Sequence, residues 1–360
     1  MQYKYRKTLL MKRQITIEAL SVLGEFLSQF ESDSSKRIEN SLNEHFYDSF
    51  LAAIYAAKIH NGWFEEAQVR RAITSWSNHL MIDELTNWSS KYPEVKAPKV
   101  IGLIMAGNIP LVGFHDFVSV LVSGNKALVK LSTDDKILMA VIVKMLIHLN
   151  SDFENHIEFT EGRLFKFDAI IATGSNNTAR YFEYYFGKYP HIIRKNRNSI
   201  AVLNGSETSE ELSALGDDIF AYFGLGCRNV SKIYVPKGYN FDLLFESLYS
   251  YKDIVNNKKY ANNVDYYRAL FLMGGNKMLE NGFLLIREDV LLASPISMLH
   301  YEYYDDLEVL KEELIEKESQ IQCIVSKENI PQSFNLGEAQ CPNLSDYSDG
   351  VDTMKFLTSL

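Results

Sequence analysis

One stretch decides how this chain folds: Lys99 to Ser132, KVIGLIMAGNIPLVGFHDFVSVLVSGNKALVKLS. Lys99 to Ala106 is almost unbroken in apolar character, the pattern of a strand buried on both faces. Gly107-Asn108 ends it, Pro110 suits a first helical turn, and Leu111 to Val122 carries apolar residues at helical spacing. Gly124-Asn125 then stops the helix before a second strand, Ala127 to Leu131. This predicts a βαβ unit whose right-handed crossover makes the two strands parallel.

Outward from that unit, Asp134 to Leu149 predicts a further helix and Phe167 to Thr173 (FDAIIAT) a third strand of the same kind, so the sheet reads as doubly wound. Upstream, the segment YPEVKAP at Tyr92 to Pro98 interrupts the pattern. Before it, Ile15 to Phe30 and His45 to Ile59 predict amphipathic helices. Downstream of Arg194-Lys195-Asn196-Arg197, strands are expected at Ser199 to Leu203, Lys232 to Val235 and Gln320 to Ser326, with a helix at Leu212 to Phe223. The expected class is α/β with two lobes, a Rossmann-like cofactor lobe and an α/β catalytic lobe. The expected division is a helical segment over residues 1–95 packed on the cofactor lobe, a dinucleotide-binding lobe over 96–198, a catalytic lobe over 199–326, and a packing or oligomerisation arm over 327–360.

The composition bounds the function. In 360 residues, 37 Lys and Arg stand against 46 Asp and Glu, a net charge of −9, which disfavours nucleic acid and anionic membrane surfaces as partners. Hydrophobic residues at 46% and charged residues at 23% describe an ordinary globular chain. Ile137 to Leu149 is too short and too often interrupted by Lys or His to insert stably in a membrane. The opening MQYKYRKTLLMKRQ lacks the apolar core and cleavage pattern of a signal peptide, so a cytoplasmic location is expected. Three widely spaced cysteines support neither a disulfide framework nor a zinc site, and His45, His60, His79 and His300 show no metal-ligand spacing.

Four local features sit at strand or helix ends, where open α/β sheets bind ligands. Cys227, in FGLGCRNVSKIYV, follows Gly224 and Gly226 on a turn that leaves the thiol accessible if it is a nucleophile. Arg228, Lys232 or a helix N-terminus at the turn would then favour the thiolate. A buried structural cysteine fits the local sequence equally, and Cys323 and Cys341 read more strongly that way. Asn108, after the first strand, is either an oxyanion donor or a turn residue. Lys130 ends a buried strand and wants a hydroxyl or anionic partner such as a ribose. Gly174-Ser175 form a strand-to-helix turn whose N–H groups suit a pyrophosphate.

The order and spacing of these features resemble the aldehyde dehydrogenase superfamily, most closely its acyl-CoA reductase branch, the group that includes the fatty acid reductase subunit of bacterial luminescence. The resemblance runs from about Asn61 to the C-terminus and takes in NGWF at Asn61 to Phe64 and DYSDGVDTMKFL near the end. It implies that Cys227 accepts the acyl group, that Asn108 and the Cys227 backbone N–H bind the oxyanion, that Lys130 meets the adenosine ribose, and that Gly174 and Ser175 lie along the pyrophosphate. Ala179 replaces the second Gly of the family's nucleotide loop. Ile193 and its basic neighbours stand where hydrolytic members carry a deacylating Glu, which favours reduction over hydrolysis.

Thr133 occupies the place of a Glu common in NAD-preferring relatives, so the resemblance implies NADPH with NADH left open; Asp134 and Asp135 weigh the other way. The implied reaction is reduction of an acyl-CoA thioester to an aldehyde through an acyl-cysteine. The rival readings are a cofactor-independent thioesterase or acyltransferase using His115 or His191 as base, an acyl-phosphate reductase, and a non-catalytic cofactor-binding subunit. A homo-oligomer is expected from the tail. The superfamily's larger size leaves room for an acyl-activating partner protein to complete the substrate site.

Overall fold

A computed structural model of the chain describes residues 11–32 and 37–360. The first ten residues of the opening basic stretch lie outside the described residues. The chain divides into two compact units: one closes at Lys195 and takes in Asn343–Leu360, and the other spans Asn196–Pro342.

The first unit begins with four helices, α1 (Arg13–Ser28), α2 (Asn43–His60), α3 (Glu66–His79) and α4 (Ile82–Ser89). Apolar side chains at three- and four-residue spacing on α1, from Ile17 through Leu20, Leu23 and Leu27, are all buried in the unit's core. The decisive stretch then folds as β1 (Val100–Ile104), α5 (Phe114–Ser123) and β2 (Lys126–Lys130). Gly124, at φ 87°, ends α5 in the left-handed conformation. The unit continues with α6 (Ile137–Leu149), β3 (Ile157–Phe159), β4 (Ala169–Thr173), α7 (Asn176–Phe186) and β5 (His191–Arg194). Its five strands form one sheet in the order β3-β2-β1-β4-β5, every pair parallel. The order reverses direction at β1, the topological switch point at which such sheets hold ligands beyond their carboxyl ends.

The second unit contains β6 (Asn198–Val202), α8 (Ser209–Phe220), β7 (Val230–Pro236), α9 (Phe241–Ser247), α10 (Lys258–Met273), β8 (Leu279–Glu280), β9 (Leu285–Glu288), β10 (Met298–Tyr304), α11 (Leu307–Glu316) and β11 (Ile321–Ser326). Its sheet runs β11-β6-β7-β10-β9-β8 and is parallel apart from the short β8–β9 pair. A capping box starts α8: the Thr208 hydroxyl accepts from the Glu211 N–H while the Glu211 carboxylate accepts from the Thr208 N–H. The unit has its own core, built on Leu212, Leu215, Ile233, Leu244, Leu299 and Val325.

The tail is divided rather than being one arm. Residues 327–342 stay with the second unit, and the remainder returns to the first, where α12 (Thr353–Thr358) packs on α5. Polar bonds fix that return. Trp88 donates to the Tyr347 hydroxyl at 2.8 Å, Tyr92 donates to Asp352, and Asn125 donates to the Leu357 carbonyl. DYSDGVDTMKFL thus contains residues that anchor the tail. NGWF has a comparable local role: buried Asn61 accepts from the Trp63 N–H at 3.1 Å and shapes the turn between α2 and α3.

Candidate active site

Three of the four expected features converge on one edge of the first sheet. Ile104, the last residue of β1, lies in register with Lys130 on β2 and with Ala172 on β4. Asn108 follows β1, Lys130 closes β2, and Gly174-Ser175 follow β4, so all four residues sit at the carboxyl ends of adjacent parallel strands. Asn108, Thr133 and Ser175 are exposed, and Lys130 is half-buried.

Ser175 is the N-cap of α7, its hydroxyl accepting from the Thr178 N–H at 3.2 Å. A Cβ on Gly174 would approach the Thr178 and Phe182 side chains at 3.0 Å, so a side chain there would require those neighbours to yield. Ala179, in place of a second glycine, is fully buried in α7.

The Asn108 loop is tied to the segment after β2. Buried Asp135 accepts from the Leu111 N–H at 2.7 Å and also from the Val112 N–H. Leu111 has φ 56°, a left-handed conformation an L-residue holds only at a cost. Burial pushes the Asp135 carboxyl up to about 7, while the two N–H groups pull the other way. Asp134 is exposed beside Thr133.

Cys227 belongs to the second unit. The Asn229 N–H donates to the Gly226 carbonyl at 3.1 Å, closing a turn with Cys227 and Arg228 at its tip, and Cys227 is exposed. The approach is strained: Tyr222 (φ 52°) and Phe223 (φ 59°) are left-handed and buried, and Gly224 continues at φ 77°. Such a conformation costs on the order of 1–2 kcal/mol for each residue that carries a Cβ, so surrounding bonds must hold it. The C-terminal end of α8 precedes the turn and β7 follows it, so the helix start expected there is replaced by a helix end and a strand.

Lys232 is also committed elsewhere. It is buried on β7, and its ammonium donates to the Val290 carbonyl at 2.9 Å and pairs with Glu302. Arg228 donates to the Ala339 carbonyl at 3.2 Å and lies over the Phe334 ring.

The other cysteines differ from each other. Cys323 lies buried on β11, its sulfur 3.0 Å from the Ser199 hydroxyl, and burial pushes its thiol up to about 11. Cys341 is exposed, which corrects the expectation of a structural cysteine there: the segment is anchored by buried Ala339 and Leu344 on either side of it.

The two histidines weighed as bases differ in their surroundings. His115 is half-buried among Trp76, Trp88 and Tyr347, its Nε2 3.0 Å from the Leu344 carbonyl, and desolvation lowers its pKa. His191 is exposed on β5 and engages the Tyr189 carbonyl. Where a deacylating carboxylate would stand, Ile193 is followed by Arg194, which is buried, paired with Asp116 at 2.7 Å and bonded to Thr353. No group of three His, Cys, Asp or Glu side chains is arranged to hold a metal among the described residues. Among them, too, no helix is long and apolar enough to cross a membrane.

With this geometry in place, similarity to known proteins becomes decisive. A family model described as acyl-CoA reductase (LuxC) matches residues 12–243, more than half of the chain, a span that includes Asn108, Lys130, Gly174 and Cys227. The chain belongs to the LuxC family of acyl-CoA reductases. It is an aldehyde-forming acyl-CoA reductase. The family match starts well before Asn61 and stops short of the tail, so it is displaced from the span expected from the motifs.

A search of curated protein sequences finds no match for the reductase. Solved structures share its fold. Aldehyde dehydrogenase 21 from Physcomitrella patens, in complex with the reaction product succinate, aligns at TM-score 0.64 and 12% identity over 89% of this chain and 75% of its own. An NAD-dependent aldehyde dehydrogenase from Sinorhizobium meliloti aligns at 0.63 and 12% over 92% and 72%. An NAD+ complex of aldehyde dehydrogenase from Bacillus cereus aligns at 0.59 and 13% over 90% and 73%. The reductase therefore has the aldehyde dehydrogenase fold.

Proposed function

We propose that the reductase works through a covalent acyl-cysteine on Cys227 and takes its electrons from NADPH. The observation that carries this reading is the contrast among the thiols. Cys227 is presented at the tip of a turn reached through left-handed residues, within the family match, whereas Cys323 is buried with its thiol pushed up to about 11. In the proposed sequence the Cys227 thiolate attacks the thioester carbonyl, the tetrahedral oxyanion accepts from the Cys227 N–H, and CoA leaves as its thiolate; the family resemblance is what assigns the Asn108 amide an oxyanion role. With no carboxylate at Ile193 to activate water, the acyl-enzyme persists.

Lys130, Thr133, Gly174 and Ser175 are the residues proposed to hold the cofactor. The fit rests on the exposed helix start capped by Ser175 at the carboxyl end of β4, with Gly174 packed close against Thr178 and Phe182 of that helix. When bound, the reduced nicotinamide supplies the hydride that brings the Cys227 thioester to the aldehyde level. Collapse of the resulting thiohemiacetal releases aldehyde and restores the thiolate.

A 2′-phosphate finds a hydroxyl rather than a carboxylate at Thr133, and Asp135 is turned to the Leu111 N–H. The NAD+ of the Bacillus cereus relative supports nicotinamide chemistry in general. Acyl-CoA-dependent oxidation of NADPH and NADH, assayed across rising acyl chain lengths, tests the cofactor and substrate together. Preference for NADH, or equal rates with acyl phosphate, would contradict the reading.

A further inference from the structure

Cys227 is exposed, yet the turn that carries it is pinned from beneath. Asn229, 3% exposed, is the pin. Its Oδ1 accepts from the Gly226 N–H at 2.7 Å, while its backbone N–H returns to the Gly226 carbonyl at 3.1 Å, so one residue closes the turn twice. Its Nδ2 donates to the Ala221 carbonyl at 2.9 Å and the Asp218 carbonyl at 3.0 Å, with the Ile219 carbonyl at 3.4 Å. Those carbonyls lie at the end of α8, where the helix leaves its last acceptors unpaired. The side chain thus spans the left-handed residues Tyr222, Phe223 and Gly224 and fixes where the turn leaves the helix. On the other side, the Ser199 hydroxyl donates to the Cys227 carbonyl at 2.9 Å.

We propose that Asn229 is a positioning residue for the nucleophile: by joining Gly226 to the end of α8, it sets the direction of the Cys227 side chain and backbone N–H. The inference rests on the acyl-cysteine reading. A displaced nucleophile loses rate at the chemical step rather than affinity, and a shift of about 1 Å is enough to cost up to about a hundredfold.

The experiment measures CoA release on mixing the full-length reductase with acyl-CoA without a reductant, for wild type, Asn229→Ala, Asn229→Ser and Cys227→Ala, normalised to folded protein by thermal unfolding. Serine is too short to reach the α8 carbonyls but keeps a hydroxyl acceptor for the Gly226 N–H, so it serves if the alanine variant does not fold. The expected result is acylation slowed about tenfold or more in the Asn229 variants, with KM for acyl-CoA within about threefold of wild type. Acylation per folded molecule within about twofold of wild type, or a loss confined to KM, would overturn the inference. The two claims separate cleanly: an active Cys227→Ala overturns the acyl-cysteine reading, whereas an inactive Cys227→Ala beside intact Asn229 variants overturns only the role of Asn229.

Discussion

The turn that carries Cys227 and the strand that carries Cys323 share the neighbour Ser199 and differ in exposure. The Ser199 hydroxyl donates to the Cys227 carbonyl and sits 3.0 Å from the Cys323 sulfur. Cys323 is buried on the edge strand of a parallel sheet, where burial keeps its thiol protonated up to about 11. Cys227 stands at a turn whose backbone is left-handed at Tyr222 and Phe223, a conformation kept by Asn229 rather than by local preference. Two identical side chains on adjacent elements thus have opposite chemistry available. What separates them is burial: the turn leaves Cys227 exposed, and the strand encloses Cys323.

The strongest way to break that comparison is substitution. Cys227→Ala is expected to reduce acyl-CoA reduction by about a thousandfold or more, the loss expected for removal of a covalent nucleophile. Cys323→Ala is expected to keep the activity of wild type while costing about 1–2 kcal/mol of stability, read by urea denaturation. Comparable losses in both variants would remove the distinction.

The same contrast between a presented and a committed group recurs at the carboxyl edge of the first sheet. Thr133 is exposed, while Asp135, two residues on, is buried against the Leu111 N–H. Thr133→Glu is expected to turn the preference from NADPH toward NADH by about tenfold or more in kcat/KM, because a carboxylate there repels a 2′-phosphate. An unchanged ratio would place cofactor choice elsewhere.

Asp135 predicts a pH effect on stability. Its folded-state carboxyl keeps the proton to about 7, whereas the unfolded chain releases it near 3.8. The unfolded state therefore binds fewer protons across that window, and the contribution of Asp135 to stability falls as pH rises from about 4 to 7. Asp135→Asn cannot ionise. Relative to wild type it should gain stability with rising pH across that range, at up to about 1.4 kcal/mol per pH unit, and no further above it. Denaturation curves for the two proteins at pH 4, 5.5, 7 and 8 check the slope and its sign.

The smallest of these tests needs no variant. Iodoacetamide at neutral pH should label Cys227 and Cys341 and leave Cys323 unmodified until the pH nears 11 or the protein unfolds, as peptide mapping would read. Early labelling of Cys323 in the folded protein would mean that its strand opens readily.

Much of this architecture is legible in the amino-acid sequence, and the reasons are local. The β1–α5–β2 unit announces itself because apolar runs, Pro110 and Gly124 act on their immediate neighbours. The short strands β3 and β5 escape notice because three or four residues show no period. Cys323 reads correctly because its strand is apolar. Cys341 does not, because exposure in the tail depends on distant packing. Lys232, five residues after Cys227, suggests thiolate stabilisation along the chain, yet Glu302 claims it across the sheet. Asn229 and Ser199 pass unnoticed, since a polar residue in a turn or a strand carries no signal until its partners at Ala221 and Cys227 are known.

The central claim, that the acyl group is carried on Cys227, is tested most directly by mass spectrometry of the reductase after mixing with acyl-CoA in the absence of reductant. The account predicts a single acyl group, retained on the peptide containing Cys227 and discharged when NADPH is added. An acyl group on another residue, or steady aldehyde formation from an enzyme that never carries one, would contradict it.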